Sequence, residues 1–199
     1  MQVNTTTLLS ESIAAIEKVL EHHDRAIVAI DGRCAAGKTT LARELEEYFL
    51  CNTIHMDEFF LRPQQRTAER LAQPGGNIDH ERFLTDVLLM LKKGLPFAYR
   101  PFDCHTMSLQ KPISLIPTNL TIVEGSYSCH PELWDYYTLH IFLDIDEDLQ
   151  RQRILARNGA DGLATFNARW IPMEERYFDA FDLRRRCEVY LKSESELSN

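Results

Sequence analysis

Residues 32–39 carry the most specific chemical pattern in this chain. Their sequence, GRCAAGKT, matches the phosphate-binding loop G-x-x-x-x-G-K-[ST]. In such a loop the glycines let backbone amides surround phosphate groups, Lys38 reaches the outer phosphates, and the hydroxyl of Thr39 binds Mg²⁺. The alternative interpretation is an ordinary turn that contains glycine. The pattern predicts that ATP and Mg²⁺ are bound by these loop residues: Gly32, Cys34, Ala35, Ala36, Gly37, Lys38, Thr39 and Thr40.

One loop residue, Cys34, carries a nucleophilic atom. It lies close in sequence to Lys38 and to the start of the helix that follows, and both would favour the thiolate by lowering the pKa of the thiol. The sequence therefore predicts a reactive cysteine whose alkylation inactivates the protein and which Mg-ATP protects. Cys34 as a small loop residue without special reactivity is the other interpretation.

Two carboxylates follow apolar runs typical of buried strands. Glu124 comes directly after residues 120–123, and Asp57 after residues 52–56. Glu124 is the candidate second anchor of Mg²⁺, directly or through water. Asp57 is placed to orient an incoming hydroxyl and accept its proton. The alternatives are a solvent-facing Glu at a strand end and an exposed Asp in a turn.

The elements around these residues alternate between strand and helix patterns. Residues 26–30 form an apolar run and lead into the loop, while residues 39–50 repeat apolar side chains at helical spacing. This alternation predicts an α/β fold of the P-loop NTPase type, a three-layer sandwich with a mostly parallel five-stranded sheet and helices on both faces. The remaining predicted strands cover residues 52–56, 120–123, 139–143 and 188–191, and further helices cover residues 10–21 and 81–93.

Length and composition limit the architecture and its partners. With 199 residues and 44% hydrophobic content, the chain suits a single domain over residues 1–199. Its net charge of -8 and the lack of a long basic block argue against a nucleic-acid surface. No window holds the roughly 20 apolar residues that a membrane span needs. Self-association into a homo-oligomer is left open.

The cysteines and the first residues of the chain bear on the compartment. Five cysteines are scattered without a C-x-x-C pair, which favours reduced thiols over disulfides or a zinc site. Residues 1–10 are polar and lack the basic start and apolar core of a signal peptide. We therefore expect a cytoplasmic protein.

Taken in order, the motifs resemble those of the uridine kinase and phosphoribulokinase-like group of P-loop small-molecule kinases. The resemblance covers most of the chain, and only the phosphate-binding loop is specific by itself. It rests on residues 32–40, 56–60 (MDEFF), 77–83 (NIDHERF), 123–125 (VEG) and 144–146 (DID), followed by Arg153 and Arg157.

The resemblance implies roles for residues outside the loop. Asp57 matches the catalytic base, and Asp79 matches the acid that holds ribose hydroxyls, although Asp79 also suits the N-cap of a helix. Arg153 and Arg157 match phosphate-binding arginines of a helical lid at about residues 148–170. An acceptor-binding insert would span about residues 57–117. Other acceptor contacts are suggested at Phe60, Tyr99, Phe102 and His105, the last equally explained as a solvated loop residue, whereas Trp170 is expected to pack against the core.

The resulting expectation is ATP-dependent phosphorylation of a hydroxyl on a small metabolite. A ribonucleoside such as uridine or cytidine is the first candidate acceptor, and it should be preferred over its 2′-deoxy counterpart. Nicotinamide riboside, pantothenate and sugar-like compounds are the alternatives. A P-loop ATPase or switch that acts on a protein partner is the alternative from another class, but the sequence has no N-K-x-D motif of guanine-binding switches.

Overall fold

The computed structural model describes residues 5–194, and its centre is a five-stranded parallel sheet. The strand order is β2-β7-β1-β8-β9. All five predicted strands are present, and the predicted α/β class is confirmed. The strands are β1 (Ala26–Gly32), β2 (Asn52–His55), β7 (Leu120–Glu124), β8 (Leu139–Ile145) and β9 (Val189–Ser193).

Helices precede, follow and connect these strands. The helix predicted at residues 10–21 begins earlier, at Thr5, and Leu8 on the added turn is buried. The helices are α1 (Thr5–Leu20), α2 (Lys38–Phe49), α3 (Ala68–Ala72), α4 (His80–Phe83), α5 (Leu89–Lys93), α6 (Glu147–Thr165), α7 (Ile171–Ala180) and α8 (Leu183–Arg186).

Two of the helical stretches contain a π turn. Leu84–Leu88 joins α4 to α5, and Phe166–Trp170 joins α6 to α7. Within α6, Gly159 departs from helical geometry at φ 71 and ψ −177. Glycine suits this position because a side chain rarely adopts such angles. The helical segment that follows β8 is therefore broken at one defined point.

The region between β2 and β7 is built from short elements. It contains the 3₁₀ turns Met56–Phe59 and Pro63–Gln65, the helices α3 to α5, and two small antiparallel sheets. One sheet pairs β3 (Phe97–Tyr99) with β6 (Ile113–Leu115), and the other pairs β4 (Phe102–Asp103) with β5 (Ser108–Leu109). The 3₁₀ turn Pro131–Tyr136 follows β7.

The side chains of the parallel sheet pack on both faces. In β8, Ile141 and Leu143 pack in a cluster with residues of α1 and α2, while Phe142 between them packs on the opposite face with Phe178 of α7. Alternate residues of a strand point to opposite faces, so this pattern requires a helical layer on each side. The predicted three-layer sandwich is confirmed. Within residues 5–194, no helix combines the length and apolar character that crossing a membrane requires.

The loop that follows β1 requires glycine at its first position. Gly32 has φ 130, and a Cβ atom on it would lie 2.0 Å from the carbonyl oxygen of Leu143 on β8. Such an approach would force the two strands apart. Gly32 thus lets the phosphate-binding loop leave the sheet next to β8.

Candidate active site

A cavity of about 810 Å³ opens beyond the carboxyl ends of β1, β2 and β7. Ligands of open α/β sheets bind at this edge. Its walls come from the phosphate-binding loop, the segment after β7, the region between β2 and β7, and the helices α6 and α7. Residues on these walls include Lys38, Thr39, Asp57, Phe60, Arg66, Asn77, Cys104, Glu124, Ser126, Tyr127, Arg153, Arg157, Arg169, Trp170 and Glu174.

The phosphate-binding loop presents the start of α2 to this cavity. Gly37 is the N-cap residue at φ 105, and no side chain caps the first amides of the helix. Such amides and the helix dipole suit an anion. The ammonium of Lys38 donates to the carbonyl oxygens of Gly32 at 2.6 Å and Arg33 at 3.0 Å, and lies 3.5 Å from the hydroxyl oxygen of Ser126. The loop therefore brings a positive charge beside free backbone donors.

Thr39 and Glu124, the two residues predicted to hold Mg²⁺, meet at the cavity wall. The Thr39 hydroxyl lies 3.2 Å from each carboxylate oxygen of the buried Glu124. No group of three or more His, Cys, Asp or Glu in the described chain is arranged to hold a metal by itself. Mg²⁺ commonly takes one or two protein oxygens and completes its shell with phosphates and water. A hydroxyl and a carboxylate beside a phosphate-binding loop fit that requirement.

His55 is a neighbour of this pair that sequence reasoning missed. Its Nδ1 lies 2.6 Å from Oε1 of Glu124, because β2 and β7 place the two residues opposite each other. The hydrogen bond with Glu124 raises the pKa of His55 above its usual value. Its position at the end of β2 could have been found from the sequence, but the strand register that pairs it with Glu124 could not.

Asp57 lies in the 3₁₀ turn after β2 and opens into the same cavity. Protein atoms around the carboxylate partly remove it from bulk water, and this desolvation raises its pKa. The positive charge of Lys38 opposes the shift, whereas the negative charges of Glu124 and Glu174 add to it. A carboxylate with a raised pKa is better suited to accept a proton.

Glu174 of α7 joins the site from the far end of the chain. This buried side chain accepts hydrogen bonds from the backbone amide of Cys34 at 2.9 Å and from the hydroxyl of Ser126 at 2.6 Å. The contact fixes α7 to the phosphate-binding loop. Sequence reasoning missed Glu174 because 140 positions separate it from Cys34.

The predicted reactive thiol at Cys34 is wrong. Cys34 is buried, and burial together with the adjacent charge of Glu174 raises its pKa to about 12. The positive charge of Lys38 lowers the pKa of Cys34, as predicted, but this effect is smaller than those of burial and of Glu174. Removal from water and a neighbouring carboxylate both disfavour the thiolate. A position near the start of a helix is therefore not enough to lower the pKa of this thiol.

The cysteines give a direct test of this correction. All five are free and lie within residues 5–194, and Cys104 alone is exposed. We expect iodoacetamide to modify Cys104 first and to leave Cys34 unmodified in the folded protein, with or without Mg-ATP. Peptide mass spectrometry after short labelling measures this. Labelling of Cys34 at the rate of Cys104 would contradict the burial, and labelling after denaturation is the control.

Asp31 is a further buried carboxylate that the sequence did not single out. Its two oxygens accept from the backbone amides of Gly32, Tyr127 and Cys129 at 2.7, 3.1 and 2.8 Å and from the Tyr177 hydroxyl at 2.9 Å. Burial raises the pKa of this carboxyl to about 6. These bonds hold the segment after β7, which lines the cavity, against the end of β1.

The two arginines of α6 occupy different positions. Arg153 donates to the carbonyl oxygens of Ala35 and Ala36 at 3.0 and 3.4 Å and to the hydroxyl of Ser193 at 3.1 Å. Arg157 is exposed, lines the cavity, and donates to the side-chain oxygen of Asn158. Arg153 is therefore fixed to the phosphate-binding loop, whereas Arg157, among the described residues, contacts only side chains of its own helical stretch, Asn158 and the ring of Phe166 at 5.6 Å.

The candidate acceptor residues do not all reach the cavity. Phe60 lies on its wall with Asp57, but Asp79, Tyr99, Phe102 and His105 do not line it. Tyr99 donates its hydroxyl to Glu58 at 2.9 Å, Phe102 is buried, and His105 is exposed in a turn.

Asp79 has the alternative role considered for it. It is the N-cap of α4 and accepts the backbone amide of Arg82 at 3.2 Å. Its buried carboxylate also lies 3.4 Å from Nε of Arg62 and 3.5 Å from Nε of Arg82. Only one of its oxygens accepts a hydrogen bond, and Oδ2 has no hydrogen-bond partner among the described residues. The group that the resemblance assigns to ribose hydroxyls is therefore buried and does not line the cavity.

Trp170 also differs from the expectation. It is half-buried on the cavity wall, and the guanidinium of Arg169 lies 4.4 Å from the centre of its ring. It therefore does not belong to the packed core. The π turn Phe166–Trp170 carries both residues and was not visible in the sequence pattern.

Comparison with known proteins identifies the fold. No protein-family model matches the sequence, and no curated protein matches it. A possible uridine kinase from Bacillus stearothermophilus superimposes with a TM-score of 0.68 and 18% identity, over 92% of this chain and 98% of that chain. The chain has the P-loop kinase fold.

Two further solved structures share this P-loop kinase fold. A candidate fructose transport system kinase from Silicibacter sp. TM1040 has a TM-score of 0.66 and 19% identity, over 89% of this chain and 97% of that chain. D-glycerate 3-kinase from Cryptococcus neoformans var. grubii has a TM-score of 0.64 and 15% identity, over 93% of this chain and 94% of that chain. At these identities the likeness concerns the fold, and it confirms the resemblance to P-loop kinases at that level.

Proposed function

We propose that the protein is an ATP-dependent kinase that phosphorylates a hydroxyl of a small metabolite. The observation that carries this proposal is the convergence of Lys38, Thr39, Glu124 and Asp57 on one cavity at the uncapped start of α2. Phosphoryl transfer needs a phosphate cradle, charge neutralisation and an aligned hydroxyl. The kinases that share the fold support the same class of reaction.

In the proposed mechanism each residue acts at a stated atom. The amides at the start of α2 and the ammonium of Lys38 bind the phosphate oxygens of ATP. The Thr39 hydroxyl and the Glu124 carboxylate would hold Mg²⁺, which supplies neutralisation of the phosphate charge. The Asp57 carboxylate orients the acceptor hydroxyl and accepts its proton as the oxygen attacks the terminal phosphorus, and the bond from that phosphorus to the bridging oxygen breaks to release ADP. Arg157 approaches the transferring phosphoryl group from α6.

Two classes of acceptor are proposed. The motif resemblance supports a ribonucleoside such as uridine or cytidine as the first candidate. The position of Asp79 supports a second candidate class, the pantothenate or sugar-like compounds, because the residue matched to the ribose contact is buried as the N-cap of α4 and does not line the cavity. Five free cysteines support the reducing cytoplasm as the compartment of the enzyme.

ADP release measured against a panel of acceptors tests the proposal. We expect slow ATP turnover alone and a marked acceleration with the right alcohol. Uridine, cytidine and their 2′-deoxy forms test the first candidate, while nicotinamide riboside, pantothenate and fructose test the others. Acceleration by a purified protein partner and by no small alcohol would favour the P-loop ATPase or switch and contradict the kinase proposal.

A further inference from the structure

The cavity is lined by arginines that form no close ion pair. Four arginines line it, and within residues 5–194 none of the four has a carboxylate within 4 Å. Arginines outside the cavity include several in close ion pairs, such as Arg70 with Glu81 at 2.7 Å. The cavity wall also carries the carboxylates of Asp57, Glu124 and Glu174, but its cationic side chains, with Lys38, outnumber them, and such an excess attracts anions. The four arginines are Arg66, Arg153, Arg157 and Arg169.

ATP does not account for all of these charges. Arg153 is fixed to the phosphate-binding loop, and Arg157 lies one helical turn further along α6, so both belong to the nucleotide side. Arg66 comes instead from the region between β2 and β7. That region also supplies Asp57 and Phe60 to the cavity wall. Arg66 is therefore placed with the acceptor-side residues and not with the phosphate-binding loop.

The guanidinium of Arg66 is available to a ligand. Its side chain is half-buried, and its one hydrogen-bond acceptor in the described chain is the sulfur of Met107 at 3.8 Å. A thioether is a weak acceptor, whereas a guanidinium offers five N–H donors in a fork that matches carboxylate and phosphate groups. Arg66 thus lines the cavity without a strong hydrogen-bond acceptor for its guanidinium group among the described residues.

Asn77 supplies a second, independent sign of a ligand on this side. It lines the cavity, is only 2% exposed, and its Oδ1 has no hydrogen-bond partner among the described residues. Its backbone is held, because its carbonyl oxygen accepts the amide of Leu61 at 3.1 Å. Buried polar atoms are normally paired. An unpaired side-chain oxygen on a residue of the cavity wall suits the hydroxyl donor of a bound molecule.

We propose that the acceptor is a small hydroxylated anion. Its carboxylate or phosphate binds the guanidinium of Arg66, a hydroxyl binds the side-chain amide of Asn77, and a second hydroxyl lies at Asp57 and is phosphorylated. This inference rests on the proposed kinase function and specifies its substrate class. A neutral ribonucleoside would leave the charge of Arg66 without a counterpart.

Matched acceptor pairs test the charge requirement. Each pair differs in the anionic group: D-glycerate and glycerol, pantothenate and pantothenol, ribose 5-phosphate and ribose. We expect an anionic member to accelerate ADP release with a kcat/KM at least about 10-fold above that of its neutral partner, since charge-assisted hydrogen bonds are the strong ones. The glycerate and pantothenate pairs test a carboxylate, and the ribose 5-phosphate pair tests a phosphate.

The variant Arg66→Gln should then show whether Arg66 acts on acceptor binding or on the chemical step. We expect the KM of the preferred anion to rise about 10- to 100-fold while kcat changes little, because the contact is made equally before and during transfer. Arg185→Gln is the matched control, since the Arg185 side chain is 86% exposed and does not line the cavity. Equal use of neutral partners, or an unchanged KM in Arg66→Gln, would overturn the inference.

The exposed Cys104 provides a readout that needs no turnover. Iodoacetate and iodoacetamide alkylate the same thiolate with loss of iodide, but the first reagent is an anion and the second is neutral. We expect the ratio of their rates at Cys104 to fall several-fold in Arg66→Gln and in high salt, and to be unchanged in Arg185→Gln. A ratio that Arg66→Gln leaves unchanged counts against the inference.

The two proposals fail in different ways. If neutral alcohols accelerate ADP release and anions do not, the kinase function stands and the anionic acceptor is wrong. If no alcohol of either charge accelerates ADP release, the kinase function fails and the acceptor class fails with it.

Discussion

Asp57→Asn is expected to lower kcat by about 10²- to 10⁴-fold while ATP and the acceptor still bind. The amide keeps the size of the side chain but cannot accept the proton of the attacking hydroxyl. Single-turnover kinetics with the best acceptor measure the effect. Asp135→Asn is the matched control, because Asp135 is exposed and does not line the cavity. A higher KM with an unchanged kcat would make Asp57 a binding residue and contradict its role as base.

The pH profile gives the same variant a second readout. The Asp57 carboxylate must be ionised to accept a proton, and its pKa is raised by its surroundings. The profile of kcat/KM should therefore rise with pH on its acid side, at a higher pH than an ordinary aspartate would produce. This limb should disappear in Asp57→Asn.

Lys38→Ala is expected to abolish phosphoryl transfer, with a loss of about 10³-fold or more in kcat/KM. The ammonium is the positive charge held inside the phosphate-binding loop, and it also opposes the negative surroundings of Asp57. Lys38→Met keeps most of the stem without the charge and should be equally inactive. Circular dichroism and thermal unfolding verify that the fold is retained.

The matched control for this lysine is Lys111→Ala, at an exposed position outside the cavity. It should leave both activity and melting temperature unchanged. Substantial turnover in Lys38→Ala or Lys38→Met would overturn the assignment of the phosphate-binding loop.

Local patterns predicted the framework of the molecule well. The apolar runs of β1, β7 and β8 are buried on both faces, so their hydrophobic continuity is visible without knowledge of their neighbours. The meeting of Thr39 with Glu124 could also be predicted, because the carboxyl ends of parallel strands share one edge. These inferences depend on periodicity and on general topology alone.

Residues that depend on distant partners could not be assigned in this way. The position of Cys34 suggested a lowered pKa, but its burial and the approach of Glu174 from α7 are tertiary facts. Arg66 belongs to no motif, and Asn77, although it begins the matched segment 77–83, was given no role, because their proposed importance depends on the absence of strong hydrogen-bond partners among the described residues. For Asp79 the local pattern was the better guide. The sequence also allowed a role as N-cap, and the structure shows that role, whereas the family motif assigned the residue to the acceptor.

The segment from Arg153 to Glu174 is attached to the phosphate-binding loop at both ends. Arg153 binds the carbonyl oxygens of Ala35 and Ala36, and Glu174 binds the amide of Cys34. Arg157 and Arg169 therefore lie between two points that are both fixed to the loop, and Gly159 is the one non-helical residue within α6. We expect a nucleotide bound at the loop to set the positions of both arginines, because the same loop holds the segment that carries them.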